Sequence, residues 1–335
     1  MKIGCLGTGT WGTALANLLA KNGHEVKVWG RNKAILKQLD QKREHPKLLG
    51  YSLPESIVYV ETIEEAISDA DLIVESVTSS GIRPVLEEIA RIRGKNKNLC
   101  PIVITSKGIE QKSGLLFPEI AKEILGEENK EKIGCLSGPS HAEELIKNLP
   151  TTVVCSAFGE DTIEIIGEAF NSSMFRVYPN ADILGVCFGG AMKNIIAIAC
   201  AISDGLGFGD NTRAALMTRG LHEIRKLAIA KGCKEETLNG FSGLGDLFVT
   251  CTSVLSRNYR FGRLLAQGFS KEQAKEKIGM VVEGEYSCLS ARELGKKYNI
   301  SLPITEATYK ILYENMSPQE AVISLLKREI KKEHL

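Results

Sequence analysis

The residue with the most chemistry to offer is Lys193, in Gly-Gly-Ala-Met-Lys-Asn-Ile-Ile-Ala-Ile-Ala, a run over residues 189–199 that is polar only at Lys193 and Asn194. A lysine so placed either snorkels its ammonium out to water or is held inside. Held inside beside a second cation, it has a pKa lowered towards neutrality, which suits it to proton transfer. Three other segments offer companions. Asp246 lies in the glycine-rich stretch 240–247, where a carboxylate can aim an ammonium, accept from a hydroxyl, or simply shape a turn. Lys107 closes the apolar run 102–106, which puts an ammonium at the end of a buried strand or merely in its loop. Ser256-Arg257-Asn258-Tyr259-Arg260 gathers guanidinium, amide and hydroxyl donors at a helix start. Such donors fit a phosphate dianion, with Arg257 as a two-armed clamp. The plainer reading makes Ser256 or Asn258 an N-cap.

Two turns could present backbone N–H groups to an anion. Gly7-Thr8-Gly9-Thr10-Trp11-Gly12 follows an apolar run and opens a helical pattern. That context turns a weak glycine pattern into a dinucleotide fingerprint: Gly7 for the tight turn, Gly9 for approach of a pyrophosphate, Gly12 for close helix packing. The helix N-terminus adds free N–H groups and partial positive charge. Further on, Leu136-Ser137-Gly138-Pro139-Ser140-His141-Ala142-Glu143 is another strand-to-helix turn. Ser140 and Glu143 match a capping box there, and N–H groups around Gly138 and Ala142 remain free for a ligand. After the second apolar run, the acidic residue of an NAD-selective site is missing and Arg31 stands in its neighbourhood. A guanidinium pairs with a 2′-phosphate, so NADPH is the expected preference over NADH, unless Arg31 merely opens the next helix.

These turns need a scaffold. In the first half, strand patterns at 2–6, 25–29, 57–60, 72–77, 102–106, 133–136, 151–155 and 174–178 alternate with helical ones at 10–21, 33–43, 82–93, 115–125, 140–146 and 162–170. Such alternation predicts mainly parallel strands with right-handed crossovers in a doubly wound, Rossmann-type α/β sheet. From Asp182 onward the pattern is helical, at 183–202, 211–231, 258–267, 285–298, 304–313 and 318–327. The division predicted is a dinucleotide-binding domain over 1–180 and a helical substrate-binding domain over 181–335, ending in a charged, solvated tail from Lys327. Helices closing over the carboxyl ends of the strands would complete a site where open α/β sheets bind ligands.

Composition narrows the function classes. The 42 basic and 41 acidic residues leave a formal charge of +1, so no bulk field points to nucleic acid or an anionic membrane. Nine scattered cysteines without a Cys-x-x-Cys pair read as buried thiols of a reducing compartment. His24, His45, His141, His222 and His334 lack ligand spacing, and no metal is expected. Neither a leader nor an apolar stretch of the roughly 20 residues of a membrane span is apparent, so a cytoplasmic protein is expected.

The motifs together resemble the bacterial-type NAD(P)-dependent glycerol-3-phosphate dehydrogenases. The likeness rests on GTGTWGTALA at 7–16, TSKGIE at 105–110, GPSHAE at 138–143, AMKNIIAIA at 191–199 and DGLGFGDNTRAALMTRGL at 204–221. It continues, in the family's order, through GLGD at 243–246, SRN at 256–258, VVEG at 281–284 and PITE at 303–306. It implies reduction of dihydroxyacetone phosphate to sn-glycerol 3-phosphate, reversibly, feeding glycerophospholipid synthesis. It implies Lys193 as proton donor and acceptor, with substrate contacts from Lys107, Gly138, Ser140, Asp246, Ser256, Arg257 and Asn258. Cofactor contacts would come from Thr10, Trp11, Arg31, Lys107, Ala142, Arg257, Val281 and Glu283, beside the turn glycines, in a homodimer. Trp11, His141 and Cys200 depart from what many relatives carry. Two rivals remain: a β-hydroxyacid dehydrogenase, whose helix resembles Lys-x-x-x-Asn where Lys193 and Asn194 are adjacent here, and a non-catalytic NADPH sensor, which needs no Lys193–Asp246–Arg257 set.

Overall fold

The computed structural model describes residues 1–93 and 99–329. Eight strands form one sheet: β1 (Lys2–Leu6), β2 (Glu25–Trp29), β3 (Val58–Val60), β4 (Leu72–Glu75), β5 (Ile102–Ile104), β6 (Ile133–Ser137), β7 (Thr151–Ala157) and β8 (Phe175–Asn180). Their spatial order is β3-β2-β1-β4-β5-β6-β7-β8. Strands β4 and β5 are buried along their whole length, the signature of a sheet covered on both faces. Helices Thr10–Lys21, Ile82–Arg93 and Phe117–Leu125 supply much of that cover.

Parallel pairing holds for every neighbour except β6 and β7, which are antiparallel, in keeping with the mainly parallel sheet expected. The link between them carries one helical turn, Ala142–Leu145. Four helical residues rise about 6 Å, far less than the roughly 17 Å of a five-residue strand. With no full crossover helix to carry the chain back along the sheet, β7 runs back beside β6.

The same short turn corrects the capping box expected at Ser140 and Glu143. His141 is the N-cap, without a side-chain cap, and Ser140 Oγ donates instead to the Gly138 carbonyl at 3.0 Å.

Beyond β8 every element among the described residues is helical, and helix Ile183–Gly205 is the axis. Helices Gly209–Ala230, Asp246–Thr252, Arg257–Ala266 and Glu283–Lys297 pack around it. Ile195, Ile196, Ala197 and Ile198 are wholly buried in the resulting core. By length and composition this helix could cross a membrane, a run that the reading of the sequence passed over; 83% of its apolar window is buried inside the fold. Among the described residues, three further α-helices went unpredicted: Ile63–Ile67, Asp246–Thr252 and Lys271–Ile278. The glycine-rich stretch before Asp246, expected as a loop, is a wide π-type turn, Phe241–Gly245, feeding directly into helix Asp246–Thr252. Of the expected charged tail, residues 330–335, including His334, lie outside the described residues.

Candidate active site

Lys193 projects from the middle of the axial helix, and Asp246 is the first residue of its own short helix. Gly189 lets the two backbones touch: a Cβ there would stand 2.6 Å from the Ser242 carbonyl oxygen. Lys193 Nζ donates to Asp246 Oδ1, while Lys107 Nζ donates to Oδ2 at 2.7 Å and to the Gly138 carbonyl at 3.1 Å. One carboxylate, 1% exposed, therefore serves two ammonium groups. Burial is the main cause that pulls the Lys193 pKa down, to about 7; Asp246 opposes the fall and Lys107 adds to it. Desolvation thus outweighs a direct ion pair, as it can where charges leave water together. Lys193 is itself buried and faces an internal cleft, so it does not snorkel.

That cleft, about 370 Å3, lies between the sheet's carboxyl edge and the helical layer. Its lining includes Lys107, Ser140, Lys193, Ser256, Arg257 and Asn258, together with Thr10, Trp11, Ala142, Val281 and Glu283. Gly138 and Asp246 stand one layer behind, reaching the cleft through Lys107 and Lys193. Ser256 is an N-cap, its Oγ accepting from the Tyr259 N–H at 3.2 Å. Asn258 is not a cap. Its Nδ2 donates to Asn194 Oδ1 at 3.0 Å and its Oδ1 accepts from the Gly284 N–H at 2.9 Å, which fixes the amide facing the cleft. Arg257 gives one arm, Nη1, to the Val281 carbonyl at 3.0 Å. Burial lowers its pKa, and the nearby Glu283 and Glu143 oppose that.

A second cavity of about 520 Å3 shares Gly9, Thr10, Ser76, Val77 and Thr78 with the first and is walled by Gly7, Trp29, Arg31 and Asn32. The glycine turn between the two fits a dinucleotide by three separate tests. Gly7 has φ +129°, and a Cβ on it would stand 2.5 Å from the Ser76 carbonyl oxygen. A Cβ on Gly12 would meet the Gly7 carbonyl oxygen at 2.4 Å, so this glycine is required for packing. A Cβ on Gly9 would meet nothing, because Gly9 faces open space at the start of a helix that has no side-chain cap. Free N–H groups and an open approach are what a pyrophosphate needs. Arg31 is exposed at the far end, with Asn32 behind it capping the next helix through Ala34 and Ile35.

Among the residues lining the main cleft that sequence reasoning did not assign to the site are Asn194, His141 and Lys47. Asn194 was visible as half of the only polar pair in its run, and its role in holding Asn258 needed the fold. His141 is pushed below its usual pKa by burial and by Lys193, and its Nε2 has no partner. Nothing local in the sequence distinguishes Lys47 from any other loop lysine. Among the described residues, no group of three His, Cys, Asp or Glu side chains could hold a metal.

Comparison with known proteins gives the same answer over the whole chain. Residues 2–162 match the family described as NAD-dependent glycerol-3-phosphate dehydrogenase N-terminus, and residues 182–323 match its C-terminus. The chain is 56% identical over 334 residues to a glycerol-3-phosphate dehydrogenase [NAD(P)+] of Protochlamydia amoebophila, covering 100% of this chain and 99% of that protein. It is 52% identical over 333 residues to the protein of that name from Chlamydia trachomatis serovar L2b, covering 99% of each. The solved glycerol-3-phosphate dehydrogenase of Coxiella burnetii superposes with a TM-score of 0.92 at 36% identity, covering 97% of this chain and 98% of that one. With both halves of the chain matched and relatives this similar over its whole length, the chain belongs to the NAD-dependent glycerol-3-phosphate dehydrogenase family.

Proposed function

We infer that this chain reduces dihydroxyacetone phosphate to sn-glycerol 3-phosphate with NADPH or NADH, reversibly, and that Lys193 handles the proton. The observation that carries the assignment is Lys193 beside Asp246, facing a cleft that also holds the Ser256-Arg257-Asn258 donors. The bound nicotinamide supplies or accepts the hydride. The protein's own share is proton and position. Protonated Lys193 gives its proton to the ketone oxygen, and neutral Lys193 takes it from the alcohol in the reverse direction. Asp246 aims both ammonium groups, and Lys107 holds the substrate side of the cleft with Gly138 and Ser140. Arg257, Asn258 and Ser256 grip the phosphate, whose remote binding energy orients the ketone. Thr10, Trp11, Ala142, Val281 and Glu283 wall the cofactor. An absorbance assay with dihydroxyacetone phosphate and NADPH, repeated with NADH, tests the reading; no oxidation of either cofactor removes it. Division at residue 180, a homodimer, a cytoplasmic setting and a supply of glycerol phosphate for phospholipid synthesis complete the proposal. Sedimentation at several concentrations decides the dimer.

The depressed Lys193 pKa sets opposite pH dependences for the two directions. Reduction needs the charged form, so kcat/KM is fullest below about 7 and falls about tenfold per pH unit above it. Oxidation needs the neutral form, so its kcat/KM rises through about 7 to a plateau. Rate profiles that move the same way in both directions between roughly pH 6 and 9 would remove Lys193 from the proton path.

Cofactor choice rests on Arg31. Arg31→Ala is expected to raise the KM for NADPH on the order of tenfold, since a charge-assisted pair is lost in a salt-screened setting. The KM for NADH should stay put. An equal change for both cofactors means that Arg31 does not read the 2′-phosphate.

A further inference from the structure

Lys47 lies on the loop after helix Lys33–Lys42, and no motif described above includes it. It lines both cavities, on the border between the part holding Lys193 and the part holding Arg31. Its loop is pinned to the glycine turn through His45, which is buried: the ring Nε2 lies 3.2 Å from the Thr8 carbonyl oxygen, and Nδ1 accepts from the Lys47 N–H at 3.1 Å. Lys47 Nζ reaches across to the helical layer and donates to the Gly279 carbonyl at 2.6 Å. That carbonyl begins the strap 279–283, whose other tethers are Arg257 Nη1 on the Val281 carbonyl and the Ser79 N–H, which donates to Glu283 Oε1 at 3.4 Å. Among the described residues, Lys47 has no carboxylate partner and donates only to the Gly279 carbonyl. Burial lowers its pKa first, and repulsion from Arg257 and Arg260 lowers it further.

Lys47 thus stands where the two cavities join, beside Gly9 and Thr10, with Arg257 lining the first of them, and among the described residues the one hydrogen bond of the Lys47 ammonium goes to a neutral carbonyl. An arrangement of that kind favours an anion bridging the junction, which would relieve the crowding. We propose that Lys47 is a further cofactor-binding residue, its ammonium contacting the pyrophosphate of the bound dinucleotide from the side opposite the glycine turn and tying that anion to the strap 279–283. The proposal rests on the cofactor reading above. A point charge on a flexible stem suits this place, because the ammonium can keep the Gly279 carbonyl while turning another N–H to phosphate.

The pyrophosphate is common to NADPH and NADH, and this separates Lys47 from Arg31. Lys47 is exposed, so Lys47→Gln should fold as the wild type does. Fluorescence titration of the full-length protein is expected to show Kd values for NADPH and NADH both raised about tenfold, by the same factor. The Kd for ADP should rise with them and that for AMP should not, while Lys47→Arg stays close to wild type. A loss confined to NADPH places Lys47 at the 2′-phosphate and overturns the proposal. A rise only in the KM for dihydroxyacetone phosphate places it at the substrate's phosphate, and unchanged affinities leave it a plain loop lysine; either result also overturns it. Wild-type protein that binds neither dinucleotide would instead overturn the cofactor reading itself.

Discussion

Lys193→Ala is expected to keep the dinucleotide affinity of the wild type and to lose about 10²- to 10⁴-fold in turnover at neutral pH. That range is the usual worth of a positioned general acid. Loss of the proton donor removes charge stabilisation from the developing alkoxide, which exists only in the transition state, so the effect belongs in kcat. Collapse of the site is not expected, because Asp246 keeps Lys107 at 2.7 Å and is not left as an unpaired buried charge. The wild-type pH break near 7 should vanish together with the rate, since no other group would then titrate on the reacting oxygen. Stopped-flow turnover beside a fluorescence titration of NADPH separates chemistry from binding. A variant that turns over at the wild-type rate would show that Lys193 is only a buried structural lysine.

Lys193 was legible in the sequence because a polar pair inside an apolar helix demands a reason, whatever the fold. Its partners were legible only as candidates. Asp246 meets Lys107 across 139 residues of chain, and nothing local specifies that two lysines share one carboxylate. The glycine turn could be read in full, since each glycine's task follows from strand–turn–helix geometry, and the space around each agrees. Direction in the sheet was not legible: apolar alternation marks that β7 exists, while its antiparallel course goes with a link that holds a single helical turn in place of a crossover helix. Helix Lys271–Ile278 escaped because only Ala274 and Ile278 are buried, so no apolar period exists; a Ser270–Gln273 capping box holds its start instead. The Ser140–Glu143 pattern misled for the opposite reason. Its spacing is right, but Ser140 Oγ is turned back to the Gly138 carbonyl and the helix begins after it.

Substrate class depends most directly on the proposed phosphate grip, and Arg257→Lys probes it. In the structure one guanidinium arm is committed to the Val281 carbonyl at 3.0 Å, which leaves Nη2 and Nε for the cleft. A planar fork can hold a strap with one edge and two phosphate oxygens with another; a lysine keeps the charge and loses the fork. The expected loss is about 10- to 100-fold in kcat/KM for dihydroxyacetone phosphate, the worth of one charge-assisted hydrogen bond. It should fall on kcat as well as KM, because binding energy from the phosphate serves to orient the ketone. Free dihydroxyacetone, with no phosphate to grip, should be a very poor substrate of the wild type and hardly worse for the variant. Any weakening of the strap through Val281 would touch cofactor binding and would lower both substrates alike, so the ratio of the two kcat/KM values isolates the phosphate contact. The measurement is that ratio in both proteins, under saturating NADPH. If Arg257→Lys lowers both substrates by the same factor, Arg257 serves the strap and not the phosphate, and the anion must be held by Ser256, Asn258 and the lysines alone.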